Sequence, residues 1–238
     1  MDMTRETGYE GKRKPFSVVV ITLPDFFDGE AACLEGLLSA GLQKLHIRKP
    51  GASDEAIANL VKQLPAHWRS RLVLHARPAL AEHCGIPQVH CPLQVWKEMT
   101  DKWSEETEPV KSGVRMSVSL HSWAEVKALG SMPVSHDCSI SYPRPIYAFI
   151  SPLFDSISKR GYTAGRDLLR RPEDPLPCSV IGLGGINAET IRVVMEYGWD
   201  GAAVLGWIWE NPLMAISRYE QLLKITNGQT EGIGDCGI

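Results

Sequence analysis

The feature that most constrains this chain is a recurring alternation of short apolar runs with helical patterns. The stretch Ser17-Val18-Val19-Val20-Ile21-Thr22 is β-branched and nearly continuous, as a strand buried on both faces should be. Residues 30–40 then read as a helix stopped by Gly41. Residues 45–48 read as a second strand, after which Ser53 can cap a helix to about Leu64 with Asp54 and Glu55 in its first turn. Residues 71–75 form a third strand, and residues 78–83 a short helix entered through Pro78. Further strands are expected at 88–91, 114–119, 146–150, 179–183 and 201–205. Helices are expected from Ser122 to about Leu129, from Asn187 to about Tyr197, and from the eighth strand to about Ile225.

Eight strands alternating with helices predict a closed α/β architecture, a single-domain TIM (β/α)8 barrel. The chain has 238 residues, close to the roughly 250 such a barrel takes. An open doubly wound sheet is the competing reading, but it wants a Gly-rich turn after the first strand, and Thr22-Leu23-Pro24-Asp25 is not one. The barrel is expected over 15–226, with 1–14 a disordered leader and 227–238 a flexible tail. Residues 97–113 are highly charged and contain Pro109, and residues 131–145 carry three prolines. Both read as surface insertions, the first in place of the helix after strand four.

The formal charge of -3 gives no basic excess for nucleic acid or a membrane surface. No apolar stretch reaches the ~18 residues that span a bilayer, and the polar N-terminus lacks a secretory h-region. None of the six cysteines forms a CxxC pair, so zinc spacing is missing. They read as reduced core residues of a cytoplasmic protein.

In this fold the active site forms at the C-terminal ends of the strands. The polar residues expected there are Thr22, His46, Arg48, His75, Arg77, His90, Ser119, His121, Ser151, Ser156, Ser158 and Lys159, with Gly184, Gly185 and Gly206. Hydroxyls, cations and glycines on one rim compose an anion site. Leu183-Gly184-Gly185-Ile186-Asn187 leads strand seven into a helix, and Leu205-Gly206 does the same after strand eight. Paired loops there are the recurring phosphate cradle of these barrels; the plainer reading is two ordinary turns. Arg48, on the inward face with His46, needs an anion or an internal carboxylate. The ligands implied are phosphorylated small molecules.

The sequence of motifs "HIR" after strand two, "SLHS" after strand five, "SPLFDSISK" after strand six and "GGI" after strand seven resembles the thiamine phosphate synthase and TenI family. That family builds a TIM barrel. Its synthases join hydroxymethylpyrimidine diphosphate to thiazole phosphate and release pyrophosphate, with Mg²⁺. The resemblance implies that Arg48, Ser119 and Lys159 hold the diphosphate and carry catalysis. It implies that Ser156, Ser158 and Gly185 hold the thiazole phosphate. His46 stands where synthases carry glutamine and TenI-like members carry histidine. His75, Arg77, Gly184, Leu205 and Gly206 complete the expected substrate- and phosphate-binding set.

This chain departs from the family pattern at the metal. His75-Ala76 replaces the Asn-Asp pair after strand three, and the region of Cys91-Pro92-Leu93-Gln94 offers no second aspartate. Mg²⁺ is therefore expected only with its usual ligands missing, and no metal residues are assigned. Pro50 replaces the lysine two positions beyond Arg48. The histidine that TenI-type tautomerases carry after strand six is also absent, since that stretch reads Ile150-Ser151-Pro152. An enzyme, a divergent thiamine phosphate synthase, is expected. A non-catalytic or TenI-like binder of thiazole phosphate or thiamine phosphate, and an isomerase acting on another phosphorylated metabolite, are the alternatives. Assembly into a homo-oligomer is left open.

Overall fold

Each apolar run of the sequence becomes one stave of a closed barrel. A computed structural model describes residues 15–105, 114–131, 145–154 and 166–228. The eight strands are β1 (Ser17–Ile21), β2 (Leu45–Ile47), β3 (Leu72–His75), β4 (Gln88–Pro92), β5 (Arg115–Leu120), β6 (Tyr147–Ile150), β7 (Ser179–Leu183) and β8 (Gly201–Val204). They pair in parallel in sequence order, and β8 closes onto β1 with Val20 opposite Val204. This is the TIM barrel that the alternation predicts.

The helices are α1 (Glu30–Ser39), α2 (Asp54–Gln63), α3 (Pro78–His83), α4 (Leu93–Glu105), α5 (Trp123–Ser131), α6 (Arg166–Leu169), α7 (Thr190–Glu196), α8 (Gly206–Trp209) and α9 (Ala215–Thr226). Local signals explain several boundaries. The Ser53 hydroxyl accepts from the Ala56 N–H and opens α2, and the Ser122 hydroxyl does the same for Glu125 in α5. α7 starts three residues later than expected, because the Asn187 side chain accepts from the N–H groups of Glu189 and Thr190 and holds a turn ahead of the helix.

Residues 97–105 are not part of an insertion. α4 follows β4 directly, so strand four has its helix. Leu93, Trp96 and Met99 recur at helical spacing, Trp96 buried and the other two packed on the core. The density of charged residues in this stretch hides the apolar stripe in the sequence. Residues 106–113 and 132–144 lie outside the described residues, as do the leader and all of the tail beyond Gly228. No helix among the described residues is long and apolar enough to cross a membrane.

Strand alternation divides the core in two. Val18, Val20, Leu45, Ile47, Leu72 and Leu74 face outward and pack beneath the helices with Leu34, Leu37, Val61 and Leu222. Val19, Ile21, Tyr147, Phe149, Ile181 and Ala203 form a separate cluster, the inward-facing set. The lumen is therefore apolar along β1, β6, β7 and β8. Along β2 to β5 the buried inward residues are mostly polar, His46, Gln88, His90 and Ser117, with Val73 on β3 the apolar exception.

Candidate active site

The polar half of the lumen rises to the C-terminal rim as a stack of imidazoles. His46 is fully buried, with Nδ1 2.9 Å from His75 Nε2 and Nε2 2.6 Å from the Tyr147 hydroxyl. His90 Nδ1 lies 2.9 Å from the Ser117 hydroxyl, and its Nε2 2.7 Å from that of Ser119. The rings of His75 and His90 are 4.6 Å apart, and Phe149 packs 4.7 Å from His46 and 4.6 Å from His90.

These histidines are held neutral. Burial, and then the proximity of His75, pushes His46 and His90 well below the ordinary imidazole range. Burial, and then the nearby Arg48 guanidinium, pushes His75 down to about 3. Desolvation raises the Tyr147 phenol. At neutral pH the stack thus offers hydrogen bonds without charge, and each ring carries one N–H.

Arg48 follows β2 and is half-buried. Its backbone N–H donates to Thr22 Oγ1 at 2.9 Å, and Thr22 is itself buried at the end of β1. Among the described residues no carboxylate or carbonyl pairs with its guanidinium. A partly buried cation without an internal counter-charge is suited to an anionic ligand.

Arg77 is placed differently. It precedes α3, and its guanidinium forms an ion pair with Asp54 and donates to the Ala52 carbonyl at 2.7 Å. It ties the loop after β3 to the start of α2, so its charge is already partly answered.

The Gly184-Gly185 turn requires glycine. Their φ angles are +102° and +62°, and a Cβ on Gly184 would stand 3.1 Å from the Cα of Pro152. The turn is laced to the loop after β6, where the N–H groups of Leu153 and Phe154 donate to the carbonyls of Leu183 and Gly184 at 3.0 and 3.3 Å. The N–H groups of Gly185 and Ile186 find no acceptor among the described residues. β7 and β8 are neighbours, so Leu205 and the exposed Gly206 leave the adjoining strand end.

The structure thus packs His46 and His75 against His90, which Ser119 hydrogen-bonds, sets Arg48 beside them, and builds a glycine turn after β7 whose donors have no acceptor among the described residues. Ser156, Ser158 and Lys159 lie outside the described residues. His121 donates from Nδ1 to the Ser151 carbonyl at 3.0 Å and bridges the loops after β5 and β6. Tyr147 and Ser117 were missed in the sequence, although inward alternation on β5 and β6 marks them: Ser117 precedes Ser119 by two, as Tyr147 precedes Phe149.

The thiamine monophosphate synthase family model matches residues 18–208. The chain belongs to that family. A thiamine-phosphate synthase of Rhodospirillum centenum is 24% identical over 211 residues, spanning 84% of this chain and 95% of the relative. The crystal structure of thiamine phosphate pyrophosphorylase from Bacteroides thetaiotaomicron is 25% identical, with a TM-score of 0.65 over 91% of this chain and 100% of that one. The Pyrococcus furiosus thiamine phosphate pyrophosphorylase shares the fold at 19% identity, with a TM-score of 0.67 over 92% and 99% of the two chains. These relatives are enzymes, in line with the expectation of an enzyme.

Mg²⁺ fits the residues present poorly. It takes oxygen ligands, generally one or two carboxylates beside substrate phosphates. The stack offers imidazoles and hydroxyls, and the residue after His75 is Ala76. Three carboxylates in the first turns of α1, α2 and α5 are committed elsewhere: Glu30 to Lys49 at 2.6 Å, Asp54 to Arg77, and Glu125 to the His121 N–H at 2.6 Å. Among the described residues no group of three or more His, Cys, Asp or Glu could hold a metal. Ala76 nevertheless keeps φ at +55°, with its N–H 2.7 Å from the His90 carbonyl. Asp adopts that left-handed conformation several-fold more readily than most residues, so the backbone at this position would accept an aspartate.

Proposed function

We propose that this barrel is a divergent thiamine phosphate synthase that binds its phosphorylated substrates at the C-terminal mouth without a carboxylate-held metal. The observation that carries the reading is the half-buried Arg48 guanidinium, which has no carboxylate or carbonyl partner among the described residues, beside an uncharged histidine stack. An anion placed there meets one fixed cation and no competing carboxylate charge within the stack.

The chemistry asked of the site is displacement at a methylene carbon. The carbon–oxygen bond to the diphosphate breaks and pyrophosphate leaves with the electron pair. The thiazole nitrogen then gives its lone pair to the pyrimidine methylene cation and forms the new carbon–nitrogen bond. Arg48 answers the charge that builds on the departing oxygens. The Ser119 hydroxyl, and by family resemblance Lys159, hydrogen-bond the same group. The N–H groups of Gly185 and Ile186, without an acceptor among the described residues, suit the thiazole phosphate, with Ser156 and Ser158 as hydroxyl donors by the same resemblance.

The binder reading has one observation in its favour, the lack of a metal carboxylate at Ala76. Two assays separate the readings. Calorimetry with thiazole phosphate should show binding that Arg48→Ala leaves intact and Gly185→Val abolishes. Pyrophosphate release from the pyrimidine diphosphate should proceed slowly in the wild type and vanish in Arg48→Ala. Thiazole phosphate binding with no release above background would select the binder, and no binding of either substrate would remove both readings.

A further inference from the structure

The floor of the barrel, at the N-terminal ends of the strands, is lined by cations and hydroxyls. Inward residues from alternate strands form layers in such a barrel. Two residues below His46 and His90, on the same alternation, stand Lys44 and Gln88, and Tyr147 meets them from β6. The Lys44 ammonium donates to Gln88 Oε1 at 2.9 Å and lies 5.1 Å from the centre of the Tyr147 ring. It is half-buried and reaches across the lumen instead of turning out to solvent. The layer beneath comes from odd strands. Arg115 opens β5 opposite Gln88 in register, two residues below Ser117. Ser17 opens β1 below the inward Val19, and Ser179 opens β7 below the inward Ile181.

This floor has positive charge and no answering acid. Among the described residues no carboxylate pairs with Lys44 or Arg115, and the Ser17 and Ser179 hydroxyls have no protein partner. Asp200, just before β8, is committed to the Val180 N–H at 2.8 Å and to Arg171 at 3.5 Å. An ammonium has three donors, and Lys44 spends one of them on Gln88. The Arg115 guanidinium is exposed and spends none on the described residues. Burial, and then the Arg115 charge, pushes the Lys44 amine below its ordinary range. Two cations on either side of one glutamine repel, and a partly desolvated lumen screens that repulsion less than water does. An anion between them replaces the repulsion with two attractions.

We infer that the floor is a second anion site, separate from the mouth, that takes a small phosphate-like oxyanion between Lys44 and Arg115. The guanidinium fork and the ammonium supply charge-assisted donors, and the two serine hydroxyls add neutral ones. Lys44 is set in from the edge, between Gln88 and Tyr147, so a small ion reaches it more readily than a side chain of a folded partner. Phosphate has more oxygens than a carboxylate to share among these donors. The inference stands apart from the proposed function, because the mouth lies at the other end of the strands.

The test is amide NMR of the full chain titrated with inorganic phosphate at constant ionic strength. Saturable shifts are expected at Ser17, Arg115 and Ser179, alike in the wild type and in Arg48→Ala. Arg115 is exposed, so Arg115→Gln leaves the core untouched. It should weaken phosphate at the floor about tenfold or more, as the loss of one charge-assisted hydrogen bond implies, and leave any shifts at Gly185 and Ile186 as they are. Lys44→Gln should do the same. Floor amides that do not shift in the wild type, or shift without saturating, overturn the site. So does an Arg115→Gln titration that matches the wild type. A control, Lys224→Gln on the exposed side of α9, should bind as the wild type does; an equal weakening there would reduce the effect to net charge and overturn the site. Saturable floor shifts with none at Gly185 and Ile186 would support this site while removing the anion site of the proposed function.

Discussion

The Tyr147 hydroxyl lies 2.6 Å from Nε2 of His46, and both side chains are buried in the barrel interior. Neither group has water to fall back on, so the contact fixes where each proton is held. Tyr147→Phe keeps the ring packing against Phe149 and strands the imidazole nitrogen. An unsatisfied buried polar atom costs about 1–3 kcal/mol, and urea unfolding should show a loss of that size. An unchanged midpoint would mean that the bond contributes nothing to stability.

Stability should fall with acid over a defined window. The unfolded histidines titrate near pH 6.5, whereas folded His75 is pushed down to about 3 and His46 and His90 lie well below the ordinary range. Between these limits the unfolded chain binds protons that the folded chain refuses. The stabilisation is therefore complete above about pH 6.5 and drains away as pH falls, by up to about 1.4 kcal/mol per pH unit for each histidine. Urea midpoints at pH 7, 6 and 5 measure the slope, and His90→Gln should flatten it. Equal slopes in the two proteins would contradict the assignment.

Lys49 sets up a second buried charge. Its ammonium lies 2.6 and 2.9 Å from the two Glu30 oxygens and 2.8 Å from the Asp25 carbonyl, with both side chains almost wholly enclosed. It pins the loop after β1 over the rim. Lys49→Met leaves a carboxylate buried without its partner and should cost about 3–5 kcal/mol. The double change Lys49→Met with Glu30→Leu should recover most of that loss in thermal or urea unfolding. A double variant as unstable as the single one would show that loop packing, rather than charge, is at stake.

Gly184→Ala tests the turn after β7. At φ +102° a side chain is strained, and the new methyl would meet Pro152 at 3.1 Å. A loss of at least about 1 kcal/mol is expected, with weaker thiazole phosphate binding because the Gly185 and Ile186 donors move with the turn. Wild-type stability and affinity in this variant would remove the turn from the site.

The barrel was legible because each strand carries its own local signature, and the closing pair of β1 and β8 adds only non-local geometry to a pattern already complete. Ser53 and Ser122 announce their helices one residue ahead. α4 was obscured because charge density is easier to notice than Trp96 and Met99 three residues apart. In the site, Arg48 and the Gly184-Gly185 turn were readable from strand ends. The histidine stack was only half readable. His46, His75 and His90 sit on three different strands, and nothing local reveals that register brings His75 opposite His90. Tyr147 is an apolar-looking residue at a strand start, and its hydroxyl gains meaning only once β6 curves round to face β2. Arg77 has the right residue type at the right strand end, yet its partner Asp54 comes from the first turn of α2 and could not be foreseen.

The most direct test of the account is Mg²⁺-titrated pyrophosphate release from hydroxymethylpyrimidine diphosphate and thiazole phosphate, run on the wild type and on Ala76→Asp. The φ of +55° at Ala76 already suits an aspartate, so the variant restores a carboxylate without rebuilding the loop. The account predicts slow wild-type turnover with little response to Mg²⁺, and a Mg²⁺-dependent gain in the variant approaching the ~10²–10³ that one well-placed electrostatic contact is worth. Fast, steeply Mg²⁺-dependent turnover in the wild type, unchanged by Ala76→Asp, would contradict it.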